Sequence, residues 1–394
     1  MAIGYNPFAP AVRDNPYPYY AELRQHAPVY HVEGAGLRVV SRYDDVVFVV
    51  KHPDLFSSAP MNFQAAREGF FSANAATIIG ADPPAHTRLR TLVNRGFTPR
   101  RIADLEPRIR AIANELVASL RERREFDLTA DLSMPLPVIV IAEMLGVEPE
   151  RRADFKRWSD SIVTVISGTP TEQERLLLQP HMKAFRNYFE EVVAQRRDCP
   201  KDDLISVLVR AQETEQALTP EEVIAFAALL LVAGNETTTN LIGNAALALL
   251  DYPEELAKVR ANRQLLPNLV EETLRYDGPV QGLFRMTTQE VELAGTTIPA
   301  GAVVMPLFAS ADRDEREFPD PERFDVTRNA DGHVAFGFGI HFCLGAALAR
   351  IEARMALEAL LFDLPPFVRA GNGPVARIDS IFLRGPKTLP LAFT

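Results

Sequence analysis

The stretch from Pro220 to about Leu250 constrains this chain more than any other, because it reads as one long helix that is apolar on nearly all sides. Thr219 can cap it, Pro220 suits its first turn, Glu222 completes a capping box and Tyr252-Pro253 stops it. At 1.5 Å per residue it spans roughly 46 Å, enough to cross a large domain. A helix apolar all round must be buried. Its longest apolar run, Val223 to Ala233, is eleven residues. A membrane span needs about 20, so none is expected. Gly234-Asn235-Glu236-Thr237-Thr238 interrupts the centre, and polar groups there are costly unless partners or a task offset them. A hydrated kink at Gly234 is the plainer alternative.

The rest of the chain predicts a mainly α fold with a minor β part. Val29 to Val32 and Leu37 to Val40 flank Gly34-Ala35-Gly36 as a hairpin would. Apolar spacing predicts helices near residues 83–96, 101–124, 151–166 and 180–197. Strand patterns return at Val291 to Leu293 and Val303 to Phe308. With 47% apolar residues and no Gly/Ser-rich or charged linker, residues 1–394 read as a single domain. The net charge of −10 argues against nucleic acid or anionic membrane as a partner. No signal peptide is visible and two distant cysteines make no disulfide framework, so a cytoplasmic location is expected.

The decisive motif is Phe336-Gly337-Phe338-Gly339-Ile340-His341-Phe342-Cys343-Leu344-Gly345, followed by Leu344, Leu348, Ile351 and Met355 at helical spacing. Cys343 therefore stands at the mouth of a helix, where amide N–H groups and the dipole favour a thiolate. The glycines allow close approach of a flat object, and Phe336 and Phe342 can shield the sulfur. Such a thiolate suits heme iron. No second cysteine lies within zinc-motif distance, and the paired cysteines of a covalent heme attachment are absent.

This loop resembles the heme-binding signature of the cytochrome P-450 family. Four further motifs appear in the family's order: Asp82-Pro83-Pro84-Ala85-His86-Thr87-Arg88-Leu89-Arg90 in the C helix, Ala233-Gly234-Asn235-Glu236-Thr237-Thr238 in the long I helix, Glu272-Thr273-Leu274-Arg275 in the K helix, and Pro321-Glu322-Arg323-Phe324 after it. The resemblance implies the cytochrome P-450 fold, with heme b between the I helix and the L helix and Cys343 as the metal ligand. Phe336 and Gly345 would pack on the heme, and His86, Arg90, Arg285 and His341 would hold its propionates. Glu272 and Arg275 can pair at i, i+3, and Arg323 is implied as the third member of their network. Thr237 is implied to hydrogen-bond dioxygen or an ordered water, and Glu236 to feed protons inward. Phe338 and Phe342 stand where smaller or polar residues are frequent, and Asp312 where Asn is frequent.

The implied activity is a monooxygenase acting on a small apolar substrate with dioxygen. A peroxygenase or isomerase is the first rival, disfavoured by the Glu236-Thr237 pair, and a heme sensor the second, for which the chain has no output segment to spare. By position the pocket would be lined by Phe70 and Phe71 of the 60–79 loop (with Met61 and Phe63), by Val163 to Ser167, by Leu229, Leu230, Ala233 and Gly234, and by Val280, Leu283, Phe284, Ile381 and Phe382. That lining suits a terpenoid, steroid, fatty acid or polyketide. No flavin or dinucleotide fingerprint is present, so a separate ferredoxin or flavodoxin with its reductase is implied, the enzyme itself acting as a monomer. Residues 85–103 carry Arg88, Arg90, Arg95, Arg100 and Arg101 without an acidic residue. With Arg350 and Arg354 they are expected to form a docking patch for an acidic ferredoxin.

Overall fold

The computed structural model describes residues 4–61, 77–167, 171–210 and 218–394. Helices dominate and the strands are few and short. The chain gathers into two compact units, one of Met1–Ser57, Arg108–Met134 and Thr237–Thr394, the other of Ser58–Pro107 and Pro135–Glu236.

All strands among the described residues belong to the first unit. Val29–Val32 and Leu37–Val40 form the expected hairpin, with Gly34 and Gly36 at φ 75° and 60°, values that favour glycine. Val303–Pro306 adds to it in parallel, Arg285–Thr287 pairs next, and Phe56–Ser57 closes the five-stranded sheet. The strand at Val303 stops at Pro306, short of the expected Phe308, which instead starts the short helix Phe308–Ala311. Val40, Val49, Phe56, Val304, Phe308 and Val334 pack into one apolar cluster beside this sheet. Each such side chain contributes roughly 1.5–3 kcal/mol when fully buried.

The second unit is helical, with Ala85–Asn94, Pro135–Met144, Arg152–Ser167 and Glu172–Asp198 as its main elements. Two predicted boundaries move. The helix expected over 101–124 is two, Pro99–Asp104 and Glu106–Ala118, because Pro107 can occupy only the first turn of a new helix. The helix expected from residue 180 begins eight residues earlier, where Thr171 and Glu174 close a capping box, and it carries Pro180 inside.

The long helix runs unbroken from Pro220 to Asp251, 32 residues, and its capping box is present: Glu222 N–H donates to Thr219 Oγ1 (3.1 Å) and Thr219 N–H to Glu222 Oε2 (2.8 Å). The α-helix is not interrupted at Gly234. A Cβ there would lie 2.6 Å from Ile141 Cδ1, so the glycine serves close packing. Asn235, Thr239 and Asn244, buried along this helix, have partners, whereas the buried Asn240 Nδ2 has none among the described residues. Asn235 Nδ2 donates to Ser159 Oγ (3.1 Å) and Thr239 Oγ1 to Ser133 O (3.0 Å). Asn244 Nδ2 donates to Asp277 O and Arg384 O (2.7 and 3.0 Å), and its Oδ1 accepts from Arg377 (3.0 Å).

A buried ion pair ties the second unit together. Arg196 Nε donates to Asp203 Oδ2 (2.6 Å), with side chains 1% and 4% exposed, and Asp203 Oδ1 accepts from Ser206 N–H (2.7 Å). Asp203→Ala would leave the guanidinium charge buried without its partner. The expected loss is about 3–5 kcal/mol, read as a fall in the urea midpoint at constant slope.

Candidate active site

The cysteine loop lies in the first unit. Phe338 is extended, Gly339–His341 make one 3-10 turn, and the helix Ala346–Phe362 starts three residues beyond Cys343. Gly337 and Gly339 have φ of 69° and 70°, and a Cβ on Gly339 would sit 2.8 Å from the carbonyl oxygen of Val50. Both positions therefore require glycine. Cys343 N–H donates to Phe336 O (2.9 Å), which folds the loop back on itself and sets the half-buried thiol at the helix mouth. The expected shielding is one-sided. Phe336 is half-buried beneath the Arg350 guanidinium (4.5 Å to the ring centroid), whereas Phe342 is 41% exposed.

Glu272 and Arg275 anchor the chain that leads into this loop. Both are fully buried, and the guanidinium grips the carboxylate through two bonds of 2.7 and 2.8 Å. Arg275 also donates to the carbonyls of Asp312 (3.1 Å), Pro321 (2.9 Å) and Arg323 (3.1 Å). The implied third member differs from expectation. The Arg323 side chain is 61% exposed, 3.8 Å from Asp325, and only its carbonyl joins the network. Arg328 is the second cation near Glu272, at 3.4 Å and 12% exposed. The Arg323 N–H donates to Asp320 O (3.1 Å), closing a turn just before the exposed Arg323 side chain.

Arg285 is buried in the middle of the sheet, opposite Val304, and His341 is half-buried in the 3-10 turn. Val280 pairs with Leu383 in an isolated bridge, and the Phe284 and Phe382 rings meet edge to face at 4.9 Å. The first unit thus brings Val280, Leu283, Phe284 and Phe382 onto adjoining segments. In the second unit His86 and Arg90 lie one turn apart on Ala85–Asn94. Burial, and then the Arg90 charge, push the His86 imidazole below its ordinary pKa and favour its neutral form. Leu230 is buried, while Ala233 is exposed and Gly234, Glu236 and Thr237 are half-buried. The middle of an otherwise buried helix is thus less enclosed than the stretches on either side of it. Phe70 and Phe71 lie outside the described residues, as does the Val163 side chain, although Val163 itself belongs to the helix Arg152–Ser167.

One residue was missed from sequence. Glu352, on the helix after the cysteine, is 2% exposed, and burial pushes its carboxyl up to about 8 against a hydrogen bond with Thr238, the neighbour of Thr237. Its Oε1 has no hydrogen-bond partner. The signal was available, since Glu352 follows Leu348 by one turn on an apolar face.

Among the described residues no cluster of three or more His, Cys, Asp or Glu side chains could hold a metal ion. A single cysteine suits only a metal that arrives in its own equatorial ring, and open space beside Gly345, where a Cβ would meet nothing within 4 Å, suits a flat group. The loop therefore fits a heme, and the class it defines is a heme-thiolate oxidoreductase. The family model for cytochrome P450 matches residues 3–366. The chain is 40% identical over 385 residues to the cytochrome P450 monooxygenase PikC of Streptomyces venezuelae, covering 96% of this chain and 91% of that one. Its fold matches the structure of cytochrome P450 CYP109Q5 from Chondromyces apiculatus with a TM-score of 0.91 and 47% identity, over 100% and 99% of the two chains. CYP109E1 from Bacillus megaterium in complex with corticosterone matches with a TM-score of 0.87 and 39% identity, over 97% and 99%. The chain belongs to the cytochrome P450 family, whose members bind heme, and is an oxidoreductase of the monooxygenase kind. No helix among the described residues is long and apolar enough to cross a membrane.

The Glu272–Arg275 pair separates the two arginines experimentally. Arg275→Ala is expected to cost about 3–5 kcal/mol in thermal or urea unfolding, because it strands a buried carboxylate. Arg323→Ala is expected to stay within about 0.5 kcal/mol, as for other exposed side chains. Equal losses for both would return Arg323 to the network.

Proposed function

We propose that this enzyme inserts one oxygen atom from dioxygen into an apolar substrate of the terpenoid, steroid, fatty acid or polyketide class, working as one catalytic domain in the cytoplasm. The observation that carries the reading is the placement of Cys343 by the Phe336 hydrogen bond at a helix mouth. Cys343 binds the iron of heme b, Phe336 and Gly345 pack on its ring, and His86, Arg90, Arg285 and His341 hold its carboxylates, for which guanidinium groups have the matching fork. The heme supplies the site of dioxygen activation, and a thiolate ligand favours cleavage of the O–O bond. Thr237 Oγ1 orients dioxygen or a water, and the Glu236 carboxyl passes protons toward it from the polar interruption of the long helix. Val280, Leu283, Phe284, Phe382, Leu230, Ala233 and Gly234 face the substrate with apolar surface, joined by Phe70, Phe71 and Val163. A relative that holds corticosterone supports a ligand of steroid size.

Two variants test the assignment. Cys343→His should abolish the strongly red-shifted band of the ferrous carbon monoxide complex while the chain stays folded. Thr237→Ala should keep that band yet divert reductant into hydrogen peroxide, so that product per nicotinamide oxidised falls. Survival of the band in the first variant, or unchanged coupling in the second, removes that residue from its role.

Electrons come from an acidic ferredoxin, or a flavodoxin, with a separate reductase. Several of the cations that could meet it are already engaged. Arg350 is held by Glu271 through bonds of 2.6 and 2.8 Å, Arg88 is paired with Glu222, and Arg101 lies 3.3 Å from Asp202. Arg95 and Arg100 are exposed, and they carry the steering. Reduction should slow as salt rises, and Arg100→Glu should slow it further at low salt without altering substrate-induced spectra. Arg350→Glu should instead weaken the cysteine loop itself. A salt-independent rate, unchanged by Arg100→Glu, would place docking elsewhere.

A further inference from the structure

We infer that Asp312 is a positioning residue for the cysteine loop and performs this role with its carboxyl protonated. The inference rests on the reading of Cys343 as the iron ligand. Asp312 ends the short helix Phe308–Ala311 and is 1% exposed. Its Oδ1 accepts the Val334 N–H at 2.6 Å. Val334 is fully buried, and its own carbonyl accepts from Gly337 N–H (2.8 Å), the first glycine of the loop. Asp312 thus pins one end of the segment whose other end is closed by the Cys343–Phe336 bond.

The next residue back is tied from the opposite side. His333 Nε2 lies 3.0 Å from Glu271 Oε2, and Glu271 grips Arg350, whose guanidinium covers Phe336. Burial alone would raise the Glu271 carboxyl, but hydrogen bonds from Arg350 and His333 outweigh it and hold it down at about 2. Asp312 has no comparable support. Its Oδ2 is buried with no hydrogen-bond partner. The charged or titratable groups that face it are Arg275 from the helix Leu266–Asp277, His333 from the loop segment and Tyr43 from the helix Tyr43–Lys51. The Arg275 charge is already matched by Glu272, and Arg275 touches only the Asp312 carbonyl. Burial pushes the Asp312 carboxyl up to about 7, against weaker pulls from His333, the Val334 N–H and Arg275.

An ionised Asp312 would therefore place a poorly matched charge in the core, which is costly. The folded carboxyl titrates above its unfolded value of 3.8, so the native state holds a proton that the unfolded chain lacks between the two values. Stability falls as pH rises across that window and levels off above the folded value. Within folded molecules, ionisation as pH rises through about 7 leaves the Val334 N–H bonded but puts a charge on the buried, unpartnered Oδ2, which strains the segment that Asp312 holds.

The test uses the holoprotein and Asp312→Asn, whose amide keeps an acceptor for Val334 but cannot ionise. Ferrous carbon monoxide spectra and far-UV dichroism are recorded between about pH 5.5 and 8.5, a range spanning the folded titration. In the parent protein, part of the red-shifted band should convert to a shorter-wavelength form with a midpoint near pH 7 while the helices persist. Asp312→Asn should flatten that profile, and Asp312→Ala should show the converted form at every pH. Carbon-13 spectra of aspartate-labelled parent protein read the same titration without a variant, and one buried carboxyl should titrate near pH 7. A band insensitive to pH, an equal midpoint in Asp312→Asn, or no such resonance overturns the role of Asp312 alone. Absence of the red-shifted band at every pH overturns the Cys343 assignment and this inference with it.

Discussion

The Glu272–Arg275 pair is the contact on which the cysteine loop depends. A fully buried ion pair is not in itself a source of much stability, since desolvation offsets its attraction. Its value lies in what it specifies. Arg275 has donors left after gripping Glu272, and it uses them on three carbonyls spread from Asp312 to Arg323, while Glu272 Oε1 accepts the Asp325 N–H at 3.0 Å. A stretch with little regular structure is thereby held at several points by one helix. That stretch delivers Val334, and through it the loop, to a defined place, so the geometry of Cys343 is set far from the thiol itself.

The long helix solves a related problem. An apolar rod has no preferred rotation or register, and its polar residues supply both. Asn244 reaches two carbonyls and an arginine within the first unit, and Thr239 reaches the carbonyl of Ser133. In the second unit Asn235 does the same through Ser159. With rotation fixed this way, Glu236 and Thr237 stay half-buried without the helix turning them fully inward.

Much of this was readable from the residues alone. Glycine and proline punctuation, a capping box and two periodicities located the hairpin, the long helix and the helix after Cys343, because each is fixed by chemistry within a few residues. The errors have the opposite character. Arg323 was expected in the buried network, yet its side chain is exposed and Arg328 lies nearer Glu272, because which arginine is buried depends on partners dozens of positions away. Helix ends moved at prolines: the expected 101–124 helix ran through Pro107, which sits in a first turn, and the expected 180–197 helix began at Pro180, which lies inside a longer one. Glu352 was passed over because an acid on an apolar face reads as a surface position until its burial is known.

Charge state in the first unit follows from partners more than from burial. Asp277 is buried as well, yet its carboxyl is held below its ordinary value. Burial would raise it, but Arg384 at 2.8 Å, Arg377 at 3.5 Å, the Tyr17 hydroxyl and Arg313 together prevail. Arg313 itself is sandwiched between the rings of Tyr17 and Tyr276, 3.5 and 3.8 Å from their centroids, so its charge is matched without being hydrated. Asp312 and Glu352 meet the same burial without a dedicated cation, and both carboxyls rise toward or past neutrality. The fold therefore keeps ionised acids where arginines cluster and protonated acids beside the cysteine loop and the polar stretch of the long helix.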